Sequence, residues 1–262
     1  MTTFEAPTIH DLRGRRVLVT GASTGIGAAA ARAFGVNGAA VAVHYNASRE
    51  AAEGVAQDVE AAGGRAVLIG GDVTERGAPA RILAEAADGL GGLDVLINNA
   101  GALVRRVTIP DYDDAFIDAV LDLNVRQVLH FMSAAVPLMS RQGTGGSIIN
   151  LSSIAARNGG GNGAVLYAAA KGFISTATKG WAKELVRDRI RVNAVSPGTI
   201  ATPFHERYST AAQLAAAQTT IPMDRLGTAE ECVGAFLFLA SESMSGYLTG
   251  QVLEVNGGQF MA

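Results

Sequence analysis

Short runs of β-branched and aliphatic residues alternate with longer alanine-rich stretches along this chain, and no other feature constrains its fold as strongly. "RRVLVTG" (15–21) precedes a helical pattern over 26–36, and "AAVAVHY" (39–45) precedes one over about 48–62. "RAVLIGGDV" leads into a helix over 78–89, and "LDVLINNAG" into a long helix over roughly 113–139. "GGSIINLSS" is followed by a helix that contains "AVLYAAAKGF" and runs to about Val186; "RIRVNAVSPG" and "GQVLEVNGG" supply a sixth and a seventh strand. The strands are continuous hydrophobic runs rather than alternating ones, as a parallel sheet covered on both faces requires. The repeat predicts an α/β, doubly wound sheet. Such sheets bind ligands just beyond the carboxyl ends of their strands, so chemistry is sought there.

The chain has 262 residues, 48% hydrophobic and 17% charged, with no internal repeat or linker, which fits one domain over 1–262. A formal net charge of −3 gives no reason to expect nucleic acid or an acidic membrane as partner. The single cysteine, Cys232, excludes an intrachain disulfide, and its setting in "EECVGAFLFLA" reads as a buried, inert thiol. No apolar segment approaches the roughly 20 residues that span a bilayer. The opening "MTTFEAPTIHDLRGRR" lacks an apolar signal core, so residues 1–13 read as an N-terminal extension and the protein as cytoplasmic. No metal is expected.

After the first strand comes "TGASTGIG" (20–27), with glycines at 21, 25 and 27. Gly21 can take a tight turn, while Gly25 and Gly27 let a helix N-terminus approach a pyrophosphate closely. Between a first strand and a helix this pattern favours a dinucleotide over an ordinary loop. An acid about 20 residues on would announce NAD, but "VHYNASRE" puts His44, Tyr45 and Asn46 there. Asn46, Ser48 and Arg49 could instead meet a 2′-phosphate, with Arg49 as the charged partner. NADP(H) is therefore favoured, with NAD(H) possible. In "GDV", Asp72 with Val73 either meets the adenine or caps the next helix. In "NNAG", Asn98 and Asn99 can tie loops together, while Ala100 and Gly101 leave room for the cofactor.

Tyr167 and Lys171 stand four residues apart, one turn from each other on a helix. A phenol of ordinary pKa near 10 is a poor proton carrier at neutral pH. An adjacent ammonium, with an oxidised nicotinamide, would lower that pKa and allow the phenol to give a proton to a carbonyl or take one from an alcohol. Alone, the spacing is weak evidence.

Its company is informative. "TGASTGIG", "NNAG", Asn124 in "LDLNV", "INLSS", "YAAAK" and "SPGTIATP" occur in this order. The chain resembles the short-chain dehydrogenase/reductase (SDR) family along almost its whole length, in its 3-oxoacyl-acyl-carrier-protein reductase-like and sugar- or polyol-dehydrogenase-like members. The resemblance implies a seven-stranded Rossmann-type sheet and NAD(P)-dependent interconversion of a secondary alcohol and a ketone. It implies Tyr167 as catalytic acid/base, Lys171 as its modulator and a holder of the nicotinamide ribose, and Asn124 as holder of a proton-relay water. Ser153 would bond the substrate oxygen. It lies fourteen residues before Tyr167 rather than thirteen, with "RNGGGNGAV" able to absorb the extra residue, so Ser152 stays open; the apolar residue after Ser153 favours the latter. Ser23 and Ile26 would join the glycines at the cofactor, and Pro197, Gly198, Thr199, Ile200 and Thr202 would embrace the nicotinamide amide.

The segment 199–226 reads as a substrate lid. His205, Glu206, Arg207 and Tyr208 face substrate or solvent, and Arg105 and Arg106 meet an anionic substrate or water. The C-terminal "SGYLTGQVLEVNGGQFMA" resembles the segment through which the family often forms homotetramers. The competing readings are an idle NAD(P)-binding sensor or scaffold, against which Tyr167, Lys171 and Asn124 speak, and a nucleotide-sugar epimerase or dehydratase, which needs a different glycine loop. Enoyl reductase relatives space tyrosine and lysine further apart.

Overall fold

The computed structural model describes residues 6–261. Seven strands form one parallel sheet in the order β3-β2-β1-β4-β5-β6-β7. They are β1 Arg16–Val19, β2 Ala40–Tyr45, β3 Arg65–Gly70, β4 Val95–Asn98, β5 Gly146–Leu151, β6 Ile190–Pro197 and β7 Val252–Val255. The helices are α1 Gly25–Val36, α2 Arg49–Ala61, α3 Ala78–Leu90, α4 Asp114–Leu121, α5 Gln127–Gln142, α6 Ala155–Asn158 and α7 Val165–Leu185. After β6 come α8 Pro203–Tyr208, α9 Ala211–Gln218, α10 Val233–Ala240 and α11 Glu242–Ser245. The expected single α/β sheet is observed.

Neighbouring strand residues point to opposite faces. Val17 and Val19 pack into one layer with Phe34, Val59 and Phe236, whereas Leu18 between them packs with Ile82, Phe131 and Met139 on the other. All three strand residues are fully buried, which is why the strands read as unbroken apolar runs. Between β1 and β4 the strand order reverses, and the loops that follow these strands part to leave a crevice.

The helix expected over 113–139 is interrupted. Asp113 caps α4 by accepting from the Phe116 N–H at 2.6 Å. Asp122–Arg126 then forms a π-helical turn before α5. A π turn adds one residue to the circuit and shifts the helix face, which apolar periodicity does not register.

Part of the expected N-terminal extension falls among the described residues. Residues 1–5 lie outside the described residues, but His10–Leu12 forms a short 3-10 turn and Leu12 is fully buried. The Asp11 carboxylate accepts from Ser241 Oγ at 2.8 Å and from the N–H groups of Glu242 and Ser243 at 2.8 and 3.0 Å. The His10–Leu12 turn is packed into the body. Cys232 is buried in α10's approach, and desolvation pushes its thiol up to about 12. Among the described residues no helix is long and apolar enough to cross a membrane.

Candidate active site

A cleft of about 830 Å³ opens across the carboxyl ends of β1, β4, β5 and β6. Its first wall is the turn after β1. Gly21 has φ of +63°, in the left-handed region that a side chain disfavours. A Cβ on Gly27 would stand 2.3 Å from the Gly21 carbonyl oxygen and 2.5 Å from Asn99 Nδ2, so only hydrogen fits. Thr20 Oγ1 accepts from the Asn99 and Ala100 N–H groups at 2.9 and 3.0 Å, while Asn99 Nδ2 donates back to the Thr20 and Gly21 carbonyls at 2.8 and 3.0 Å. The two loops form one rigid rim. It aims the N-terminus of α1, with unpaired N–H groups and a partial positive charge, across the crevice.

This rim suits a dinucleotide pyrophosphate. The glycine turn with Ser23 and Ile26, Asn46 and Ser48, residues 99–101, and Pro197, Gly198, Thr199, Ile200 and Thr202 all line the cleft. A Cβ on Gly101 would come 2.9 Å from Asn124 Oδ1 and 3.1 Å from Lys171 Nζ, so the bare backbone keeps this wall open.

Three expected cofactor residues lie off the walls. Arg49 turns outward, donating to Glu53 Oε1 at 2.8 Å with its side chain 70% exposed. Asp72 Oδ1 accepts from the Thr74 N–H and hydroxyl at 2.9 and 2.7 Å, a local turn ahead of α3; the helix itself starts after Gly77 with no side-chain cap, so the expected capping by Asp72 is not made. Val73 is buried in the core beside α3.

His44 was not singled out as a site residue, yet it braces the turn. Its Nδ1 accepts from the Gly21 N–H at 3.0 Å, so Nε2 carries the proton and donates to the Gly71 carbonyl at 3.0 Å. Burial lowers its pKa, outweighing the Gly71 bond that favours the cation. Its place at the end of β2, where an acid had been sought, was the available signal.

The second half of the site comes from β5 and α7. Lys171 is only 3% exposed; its Nζ donates to the Leu151 carbonyl at 2.8 Å and lies 5.8 Å from the Tyr167 ring centroid. Ser153 stands by the Tyr167 phenol, where its hydroxyl favours the phenolate, and accepts from the Ala155 N–H at 3.1 Å. Burial pushes Tyr167 up to about 12, against the Ser153 hydroxyl, and pushes Lys171 down to about 8. Desolvation is the largest influence on the phenol, and at neutral pH it keeps its proton, the form that can give one to a carbonyl.

Ser152 has a different setting. Its hydroxyl donates to the Lys171 carbonyl at 3.1 Å and shares a hydrogen bond with Ser175 Oγ at 2.7 Å, joining β5 to α7. Between Ser153 and Tyr167, Gly159, Gly160 and Gly161 have φ of +80°, +79° and +69°, so the loop turns in the left-handed region. Asn124 sits behind the wall in the π turn. Its Nδ2 donates to the Ala102 and Val120 carbonyls at 2.8 and 2.9 Å, and its Oδ1 accepts from the Ala102 N–H at 3.2 Å.

The far side of the cleft is closed by α8 and α9. The Phe204 ring stands 5.8 Å from that of Tyr167 and 5.1 Å from that of Tyr208. His205 and Arg207 line the cleft; Glu206 and Tyr208 do not. Arg105 turns away to Asp113 and the Phe116 ring, whereas Arg106 lines the cleft. Asn158, Asn162 and Gln213 line it too and were missed, because the glycine-rich loop and the alanine-rich helix that carry them have no recognisable periodicity.

Residues 21–259 match a family profile described as enoyl-(acyl carrier protein) reductase. The chain is 38% identical over 251 residues to 3-oxoacyl-[acyl-carrier-protein] reductase FabG of Thermotoga maritima, covering 94% of this chain and 98% of that one. It is 35% identical over 251 residues to L-rhamnose 1-dehydrogenase (NAD(P)(+)) of a Sphingomonas species, covering 95% and 98%. Among solved structures, the NADH-dependent reductase A1-R′ responsible for alginate metabolism superposes with a TM-score of 0.89 at 38% identity, covering 97% of this chain and 100% of that one. The same reductase complexed with NAD superposes with a TM-score of 0.86, at 38% identity and covering 97% and 99%.

Proposed function

The chain belongs to the short-chain dehydrogenase/reductase family and is an oxidoreductase of alcohol and carbonyl groups with a nicotinamide dinucleotide cofactor; within it we propose that Tyr167 is the general acid/base and that the substrate is a short, polar ketone or secondary alcohol. The observation that carries the reading is the convergence of the Tyr167 phenol, Ser153 and Lys171 on one cleft, with Lys171 Nζ 5.8 Å from the phenol ring. The nicotinamide, when bound, gives or takes the hydride. Tyr167 gives its proton to the carbonyl oxygen or recovers it from the alcohol. Ser153 donates a hydrogen bond to the same oxygen as charge develops. Lys171 keeps a positive charge near the phenol, and Asn124 fixes the backbone at Ala102 and holds a water toward Lys171.

Asn158, Asn162 and Gln213 on the substrate side favour a sugar-derived carbonyl over a long acyl chain. The alginate-metabolism reductase and the rhamnose dehydrogenase point the same way. NADP(H) is the favoured cofactor, because no carboxylate stands beyond β2 to repel a 2′-phosphate and Arg49 needs only to leave Glu53. The cytoplasm is the proposed location. A homotetramer is the proposed assembly, built on the unpaired edge of β7, with exposed Leu253 and Tyr247, and on the apolar patch of Val165 and Phe173 on α7.

The test follows nicotinamide absorbance with NADPH and NADH over ketoses, keto acids, diketones and an acetoacetyl thioester. Turnover that drops at least about a hundredfold in Tyr167→Phe, with cofactor affinity retained, is expected. A Tyr167→Phe enzyme as fast as wild type sinks the assignment.

A further inference from the structure

The substrate side of the cleft has a charge pattern that the reaction does not require. Among the described residues lining it there is no aspartate and no glutamate, while Lys171, Arg106 and Arg207 are cations. Lys171 donates to the Leu151 carbonyl beside Tyr167. Arg106 stands apart, on the loop after β4. Its Nε donates to the Tyr208 carbonyl at 2.9 Å and its Nη1 to the Asn162 carbonyl at 2.8 Å. Its backbone neighbour is fixed too, since the Val107 N–H donates to the Gly163 carbonyl at 3.0 Å.

Both of Arg106's partners are neutral carbonyls. Neither cancels its charge, and among the described residues no carboxylate pairs with it, in contrast to Arg105, which meets Asp113 at 3.2 Å. The Nη2 group has no protein partner among the described residues, and Arg106 lines the cleft. Two hydrogen bonds hold the guanidinium in one orientation, so little side-chain entropy is lost when it binds an anion. Burial and the charge of Arg106 both lower the pKa of His205. The imidazole is therefore neutral, and the positive potential at this end belongs to the arginines.

The cofactor does not account for Arg106. The dinucleotide walls are the glycine turn, residues 46–48 and residues 99–101, whereas Arg106 clasps the loop before α7 and the end of α8. From Tyr167 the aromatic contacts run to Phe204 at 5.8 Å and on to Tyr208 at 5.1 Å, and Tyr208's carbonyl is the one Arg106 holds.

Building on the proposed oxidoreductase reading, we propose that the substrate carries a carboxylate, bound by Arg106 at the far end of the cleft while its carbonyl or alcohol lies at Tyr167: a short keto acid or hydroxy acid, sugar acids included. The anion sets position and affinity; the redox step is unchanged.

The experiment compares matched pairs that differ only in charge: levulinate with levulinamide in reduction, and galacturonate with galactose in oxidation. Each is assayed with wild type, Arg106→Gln and Arg106→Lys. Because Arg106 also braces α8, the quantity read is the ratio of kcat/KM for the acid to that for its neutral partner, which cancels damage common to both. The expected ratio in wild type is at least roughly tenfold in favour of the acid, expressed in KM. Arg106→Gln brings it close to one and Arg106→Lys keeps part of it. A neutral partner used as well as the acid overturns the carboxylate, and so does a preference that persists undiminished in Arg106→Gln. Turnover of an acetoacetyl thioester or a diketone alone overturns the carboxylate but leaves the oxidoreductase standing. No turnover of any compound overturns both.

Discussion

Lys171 is a cation in a place that resists charge. Its pKa falls from 10.5 to about 8 because burial penalises the ammonium, so below that value the fold bears the cost of keeping it charged. Lys171→Met removes that cost and leaves the Leu151 carbonyl without a donor, a smaller loss. We expect a net gain of about 2 kcal/mol at pH 7, or roughly 4–8 °C in Tm by calorimetry, together with loss of turnover. An unchanged or lower Tm would mean that the ammonium stabilises its surroundings. His44 behaves in the opposite sense with respect to acid. Its neutral form is the one that accepts from Gly21, and its folded pKa lies below the ordinary 6.5. Its contribution is therefore complete above about pH 6.5 and is lost as pH falls from there through the folded value. Folding stability, measured by denaturant melts, should fall over that acid range in wild type by more than it does in His44→Leu, which has no imidazole to protonate. Equal acid losses in the two proteins would contradict this. Arg81 opposes and Asp72 favours protonation of this ring, so both belong in the interpretation.

At the level of elements, the glycine turn and α1 act as one part. Gly27→Ala puts a methyl group where 2.3 Å separates it from the Gly21 oxygen, and backbone must shift to admit it. The expected result is a loss of about 1–3 kcal/mol in stability and at least tenfold in cofactor affinity, read by denaturant melts and titration. This element was legible beforehand, since glycine spacing and the following alanines both carry direct steric meaning. So was the turn-to-turn placement of Tyr167 and Lys171. The π turn at Asn124 was not: it keeps helical composition and alters only the phase, and the signal for it is the bonding of Asn124 to Ala102 across the loop after β4. The outward turn of Arg49 was equally hidden, because its partner Glu53 lies on the same helix face and competes with any ligand. Residues 158–163 and 199–220 carried the least information. Their positions depend on contacts from elsewhere, such as the Arg106 bonds to Asn162 and Tyr208.

For the whole molecule, the sheet has two unlike edges. The β3 edge is flanked by α2 and α3, whereas β7 is paired only with β6 and displays Leu253, beside a fully exposed Tyr247. Light scattering should give a mass of four copies of the 26.9 kDa chain, and Leu253→Lys should reduce it to pairs. A monomeric wild type would remove the proposal.

Strand order also has a bearing on synthesis. Once β4 has joined β1, each later strand is laid on the outer edge of the one before it, through β5, β6 and β7. A chain leaving the ribosome can therefore complete the glycine turn and its supporting rim before α7 has emerged. The last step is different in kind, because Asp11 must wait for Ser241, Glu242 and Ser243 to appear. The His10–Leu12 turn is thus among the last parts to find its partners, and a nascent chain stalled before residue 241 would hold a formed cofactor rim beneath an unfastened Asp11.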